Sequence, residues 1–318
     1  MDLLSKFLEA LAPRCYRTTG MRAPAGFAIR YPRFDGLKVL FVARGPFFCR
    51  PAPGEPWIPL ASGDVLVLAR PAEYVFATAP EAPVREAPAT PYVLNEGLAD
   101  YGGDRAVVYA GKMAPDAAMA ELFFAALPRH AVLRADAGAR RIGSLMHAVH
   151  AENLAADAPG AAFAAGRLID LVMLEVLRSM TAQPDSGLKG LLRAMTDRRL
   201  ARALTALHNA PERSWTLAEL AQCAGMSRTC FAGRFRREMG ATPIDYLTRW
   251  RVRLAVQRLR DTDASVKRIA LELGFGSSTA FGAAFRRIEG VSPLESRARS
   301  RSELQLRLEG FHETYPDF

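Results

Sequence analysis

Between residues 26 and 95 the apolar positions fall in short runs: Leu37–Ala43, Val65–Ala69 and Tyr74–Ala77. The turn pairs Asp35-Gly36, Gly45-Pro46, Pro53-Gly54 and Gly63-Asp64 separate them. Short apolar runs at close spacing with such punctuation predict the strands of a β-sandwich or barrel. Ala106–Ala110 supplies a further strand to close the sheet. Near residue 138 the period changes. Residues 139–155 and 161–181 carry apolar positions at helical spacing, with Pro159 between the two segments. In the second segment Leu168, Leu171, Val172, Met173, Leu174, Leu177 and Met180 cover much of the helix surface, so it is expected to pack on two sides. Packing onto the β domain and dimerisation through the helix pair are the two readings of that surface. Ala182–Gly190 reads as a linker.

Residues 196–301 read as almost entirely helical, and they repeat. Ser227 to Pro243 aligns with Ser277 to Pro293 at an offset of 50, matching Ser, Thr, two Phe, an Arg-Arg pair, Gly and Pro. Thr216–Gly225 and Ser265–Gly274 align at an offset of 49, and Gly276 is the extra residue. Each copy has the grammar of a helix-turn-helix. Thr216 and Glu219 form a capping box that starts a short helix, Gly225 ends it, and Ser227 caps the next helix. Phe231 and Phe235, four residues apart, share a buried face. Thr229, Gly233 and Arg236 lie opposite. The second copy uses Ser265, Gly274, Phe281 and Phe285 in the same roles, with Thr279, Ala283 and Arg286 outward. Thr242-Pro243 and Ser292-Pro293 are cap-plus-proline starts, the first of a helix over about 243–260 that joins the two units.

Composition narrows the class. The chain has 318 residues, 50% hydrophobic and 24% charged, which fits about two globular domains and excludes a disordered or collagenous chain. No apolar run reaches the length of a membrane span. The start carries Asp2, Lys6 and Glu9 and does not read as a secretory leader. Four cysteines with no CxxC pair suit reduced thiols in a cytoplasm. The net charge of +9 is localised: residues 196–301 hold 20 Lys/Arg against 10 Asp/Glu. The repeat is therefore also the basic block, which points to double-stranded DNA read by two helices on one connecting helix.

The repeat resembles the AraC/XylS family of bacterial transcription regulators over about residues 200–298. Its most specific part is Ile269-Ala270, Gly274-Phe275, Ser277, Phe281, Phe285 and Gly290-Val-Ser-Pro293. The front half is similar to the cupin-type sensor domain of many such regulators. That similarity rests on Gly26–Pro32, Leu40–Gly45 and the Gly63-Asp64 turn leading into Val65–Ala69. The resemblance implies an α+β multidomain chain: a cupin-like β-barrel followed by helices, then an all-α domain with two helix-turn-helix units. The expected domains are a sensor over 1–137, a helical dimerisation segment and linker over 138–190, a DNA-binding domain over 191–301 and a tail over 302–318. The implied partners are promoter DNA, a small-molecule effector, RNA polymerase and a second copy of the chain, with no membrane.

Candidate residues follow. Arg228, Arg236, Arg237, Arg286 and Arg287 are expected to meet mostly phosphates. Thr229, Ser278 and Thr279 remain for base edges. The mid-helix positions Ala232, Gly233, Gly282 and Ala283 are small, a departure from the family that points to close approach and shape reading. In the sensor, Phe41, Phe48, Trp57, Tyr74 and Phe76 are candidates for an effector pocket. Cys15 and Cys49, with arginines beside them, carry the alternative of a redox-responsive regulator. A cupin enzyme is the remaining alternative. None of His130, His147, His150, His208 and His312 lies within 26–95, so no metal or other cofactor is expected.

Overall fold

The computed structural model describes residues 2–11, 15–87, 94–115, 117–183 and 186–299. The tail expected over 302–318 lies outside them. The chain begins with helix α1 (Leu3–Leu11). Strands follow: β1 (Cys15–Ala23), β2 (Ala28–Tyr31), β3 (Leu37–Arg44), β4 (Phe47–Arg50), β5 (Ile58–Leu60), β6 (Val65–Ala69), β7 (Tyr74–Ala77), β8 (Val84–Glu86), β9 (Leu94–Asn95), β10 (Leu98–Asp100) and β11 (Ala106–Ala114). Then come α2 (Ala117–Ala126), β12 (His130–Leu133), α3 (Ala137–Leu154) and α4 (Ala161–Ala182). The remainder is helical: α5 (Gly190–Thr196), α6 (Arg198–Asn209), α7 (Leu217–Ala224), α8 (Arg228–Met239), α9 (Pro243–Asp261), α10 (Val266–Glu272) and α11 (Ser278–Glu289), with a last helix starting at 293.

These elements form two compact units. One holds the strands, α3 and α4. Its strands make two sheets, ordered β12-β6-β3-β11-β1-β10-β9 and β5-β4-β7-β2-β8. Met21, Leu40, Val42, Leu66, Leu68 and Val108 from the first meet Ile29, Phe47, Cys49, Tyr74 and Phe76 from the second in one apolar cluster. The cupin-like barrel expected from the sequence is therefore built as two facing sheets, with no hydrogen-bonded ring closing among the described residues. The Gly63-Asp64 turn has a packing reason. Asp64 is buried, and its carboxylate accepts from the Ala61 and Ala135 amides and from Arg134 at 2.8 Å. That ties the start of β6 to the end of β12. Alternation along β3 sends Leu40 and Val42 inward and Phe41 outward toward α3. At Gly143 of α3 an added Cβ would come within 2.4 Å of the Phe41 ring, so glycine lets the helix lie flat on the sheet.

The other unit holds every helix from α5 onward, together with α1 and the first half of α2. The units part at 188/189, two residues from the expected 190/191 boundary, while α1 and the first half of α2, expected within the sensor, lie here. The physical reason is that α1 is amphipathic, with Leu3, Phe7, Ala10 and Leu11 buried, and it packs on α6. Lys6 Nζ donates to the His208 carbonyl at 3.1 Å, and Gln257 of α9 donates to the Ala10 carbonyl. Beneath α1, His208 is stacked on Trp250 at 4.1 Å, and its Nε2 shares a 2.7 Å hydrogen bond with the Tyr246 hydroxyl. The C-terminal half of α9 (Val252, Ala255, Leu259) packs with Ile269, Ala270, Leu273, Phe281 and Phe285.

Candidate nucleic-acid interface

The two helix-turn-helix units are α7–α8 and α10–α11, and local chemistry fixes each helix end. Thr216 and Glu219 form the expected capping box, and Gly225 ends α7 in the left-handed region. The Ser227 side chain accepts from the Cys230 amide and that of Ser277 from the Ala280 amide, so α8 and α11 start at matching points. Ser265 caps α10, which stops at Glu272, so Gly274 lies just beyond the C-cap residue Leu273. Thr242 caps α9 with Pro243 in the first turn. Ser292 and Glu295 exchange hydrogen bonds at the start of the helix from 293.

Residues 231–240 and 281–290 share one exposure pattern, position by position. Phe231, Phe235, Phe281 and Phe285 are fully buried, at ring separations of 5.5 Å within each pair. Arg228, Thr229, Gly233, Arg236 and Arg237 are exposed on α8. Ser278, Thr279, Ala283, Arg286 and Arg287 are exposed on α11. Ala232 and Gly282, expected outward, are half-buried. A Cβ added at Gly233 or Gly282 would meet nothing within 4 Å, so a partner surface can approach the backbone closely there. Arg237 pairs with Glu238 at 3.3 Å, and Arg287 with Asp245 at 3.4 Å. Both guanidiniums are well exposed, so these pairs are weak and exchangeable for phosphates. Arg234, by contrast, turns back to Asp197 at 2.6 Å.

The structure adds Cys230 to this surface. It is exposed beside Thr229, as is its counterpart Ala280. Counting from Phe231, position 230 is one step off the buried face, and that was the available signal.

In the sheet unit the five aromatic candidates divide. Tyr74 and Phe76 face the space between the sheets, while Phe41 lies toward α3 and Phe48 and Trp57 pack around Val75 and Ala77 on the opposite face of the smaller sheet. Sequence reading passed over Lys38. It shares the inward phase of Leu40 and Val42, is 3% exposed, and donates to the Tyr74 hydroxyl at 2.9 Å. Its ammonium lies 4.5 Å from the Tyr31 ring centre and 5.0 Å from that of Tyr74. Burial, assisted by Lys112, pushes its pKa down to about 7. Cys49 is fully buried nearby, and burial pushes its thiol up to about 12, the reverse of what an activated thiolate needs. The side chain of Cys15 lies outside the described residues. His147 and His150 rest on Tyr109 at 4.3 and 5.0 Å, at the border of α3 and the larger sheet. No group of three or more His, Cys, Asp or Glu among the described residues is placed to hold a metal ion. Nor is any described helix long and apolar enough to cross a membrane.

A family model described as a cupin matches residues 2–182, and one described as a helix-turn-helix domain matches residues 220–299. A protein of Streptomyces antibioticus described as an AraC-like transcription regulator is 31% identical over 300 residues, covering 93% of this chain and 98% of that one. The transcriptional regulator AlkR of Acinetobacter baylyi is 38% identical over 133 residues, or 42% of this chain and 43% of its own length. Among solved structures, the DNA-binding domain of AdpA in complex with a target DNA is 36% identical, with a TM-score of 0.32; the match covers 34% of this chain and 96% of that domain. With a cupin match over its first half, a helix-turn-helix match within its last third and a relative alike along nearly the whole length, the chain belongs to the AraC-type DNA-binding transcription regulators that carry an N-terminal cupin domain.

Proposed function

We propose that the chain binds promoter DNA in the cytoplasm as a homodimer, presents α8 and α11 to two adjacent major-groove segments, and regulates transcription through RNA polymerase in response to an effector read by the cupin unit. The matching exposure of the two reader helices carries this reading. Elements that enter successive major grooves meet them about one turn, roughly 34 Å, apart. A footprint on the DNA upstream of its own coding sequence, at two salt concentrations, tests it. Two adjacent protected segments that weaken in high salt are expected. A single segment, or none at either salt, overturns the twin-reader account.

The sensor reading rests on the interior between the sheets. There Lys38 brings one polar head, bonded to the Tyr74 hydroxyl, into an aromatic core, and an effector that opened this core would find an ammonium and a hydroxyl rather than metal ligands. With no histidine in 26–95 and a buried, unactivated Cys49, binding is favoured over a cupin enzyme or a redox switch at Cys49. Dimerisation is assigned to α4, where Phe163 is 74% and Leu171 46% exposed along one helix. Both exposures are large for apolar side chains. Phe163→Asp is expected to convert a dimer to a monomer in sedimentation; a dimer unchanged by it removes α4 from that role.

A further inference from the structure

Two readers are useful together only if their spacing is fixed, and α9 alone does not fix it. Its N-terminal half packs with the first unit, where Tyr246 meets Phe235 at 5.8 Å. Its C-terminal half packs with the second, through Val252, Ala255 and Leu259. Between the halves stands Arg251, half-buried. Its guanidinium donates in three directions: Nε to the Pro211 carbonyl at 2.5 Å, Nη2 to the Arg213 carbonyl at 2.9 Å, and Nη1 to the Gly274 carbonyl at 2.9 Å. The first two carbonyls belong to the loop that leads into α7. The third belongs to the turn between α10 and α11. One side chain therefore bonds both helix-turn-helix units at once.

Two further observations bear on the same junction. The loop at 210–215 is held in shape by its own contacts: Trp215 Nε1 donates to the Ala210 carbonyl at 2.9 Å, and Arg213 lies 4.3 Å over the Trp215 ring and pairs with Glu219 at 2.5 Å. Gly274, at φ +77°, lies against this loop so closely that an added Cβ would fall 1.9 Å from the Glu212 carbonyl oxygen. Backbone of the two units thus meets beside the carbonyls that Arg251 joins. The phenylalanine of that turn, Phe275, lies 5.7 Å from the same guanidinium.

We propose that Arg251 is a positioning residue for DNA recognition: its three-way bond to the 211–213 loop and the Gly274 turn locks the two reader helices at one separation, and so restricts the protein to one spacing between its two DNA subsites. Arginine suits this role because its planar fork reaches several carbonyls in fixed directions, which a single ammonium cannot do. The apolar packing of each unit on its half of α9 does not depend on Arg251, so variants at 251 are expected to fold.

The test is selection of binding sites from a randomised duplex library by the full chain, wild type against Arg251→Lys and Arg251→Met. Wild type is expected to return two half-motifs at a single spacing. Both variants are expected to return the same half-motifs at scattered spacings. On duplexes from the wild-type selection with one base pair inserted between the half-motifs, wild type should lose tenfold or more in affinity and the variants less than threefold. Binding to a duplex carrying one half-motif should stay within threefold of wild type. A single unchanged spacing in both variants overturns the proposal. So does rescue by Arg251→Lys alone, which would make Arg251 a simple charge, and so does a changed half-motif, which would make it a base reader. Parallel loss on single and paired half-motifs would assign Arg251 to general stability instead. Gly274→Ala disturbs the junction from the other side and is expected to scatter the spacing in the same way.

Discussion

Single buried ionisable groups dominate the pH behaviour expected of each unit. Lys38 is held near a pKa of 7 against an ordinary 10.5, by burial first and by Lys112 second. The unfolded chain keeps the proton up to about 10.5, so between pH 7 and 10.5 it binds more protons than the folded chain, and stability rises with pH across that window. Lys38→Met is therefore expected to stabilise the chain at pH 7, by about 1–3 kcal/mol after the loss of the Tyr74 partner is counted. Denaturation midpoints should show that gain shrinking toward pH 10. In the other unit, burial and then Lys6 push His208 down to about 3 from 6.5. A depressed histidine contributes stability above 6.5 that drains away as pH falls toward 3. The expected loss is about 2–3 kcal/mol between pH 7 and 4.5. Denaturation at both pH values checks it: His208→Gln keeps a hydrogen-bonding group beside Tyr246 and should flatten that window while leaving the carboxylate titrations in place.

At the scale of elements, legibility depended on whether a signal names its own partner. The capping residues Thr216, Ser227, Thr242, Ser265 and Ser277 and the paired phenylalanines are local and repeat, so α7 to α11 could be placed from sequence nearly residue by residue. The pattern of α1 says that one face is buried but not against what, and it docks on a helix some two hundred residues away in sequence. Arg251 looks like any of the arginines along α9, because its partners are loop carbonyls 40, 38 and 23 residues distant. Strand phase divides the aromatic candidates: Phe41 alternates with Leu40 and Val42, while Tyr74 and Phe76 point inward, and the phase of Leu40 and Val42 also brings Lys38 inward. The placement of α1 has a direct check. Phe7 is fully buried, so Phe7→Ala should cost about 3–5 kcal/mol. Hydrogen exchange should then quicken in α6 and stay unchanged in β3. Acceleration in β3 alone would return α1 to the sheet unit.

For the whole molecule the decisive quantity is how charge is spent on DNA. The basic excess lies in the block that holds both readers, and five exposed arginines stand on or beside their outward faces: Arg228, Arg236, Arg237, Arg286 and Arg287. Each phosphate neutralised releases counterions, and the logarithm of affinity falls with the logarithm of salt at a slope of about −0.9 per contact. Five such contacts predict a slope of roughly −4.5 for the full chain on its selected site, and each single Arg→Ala change should flatten it by about 0.9. The small exposed residues Gly233 and Ala283 leave little for bidentate base recognition, so specificity is expected to follow groove shape and methyl contacts. Swapping one base pair to or from guanine should then cost well under about 2 kcal/mol, the scale of a lost bidentate pair. The two measurements separate the roles. A steep slope with shallow base-pair penalties describes a protein held by phosphates and guided by shape. A shallow slope with single penalties above that threshold would mean that Thr229, Ser278 and Thr279 read bases directly and that the arginines serve mainly the surface.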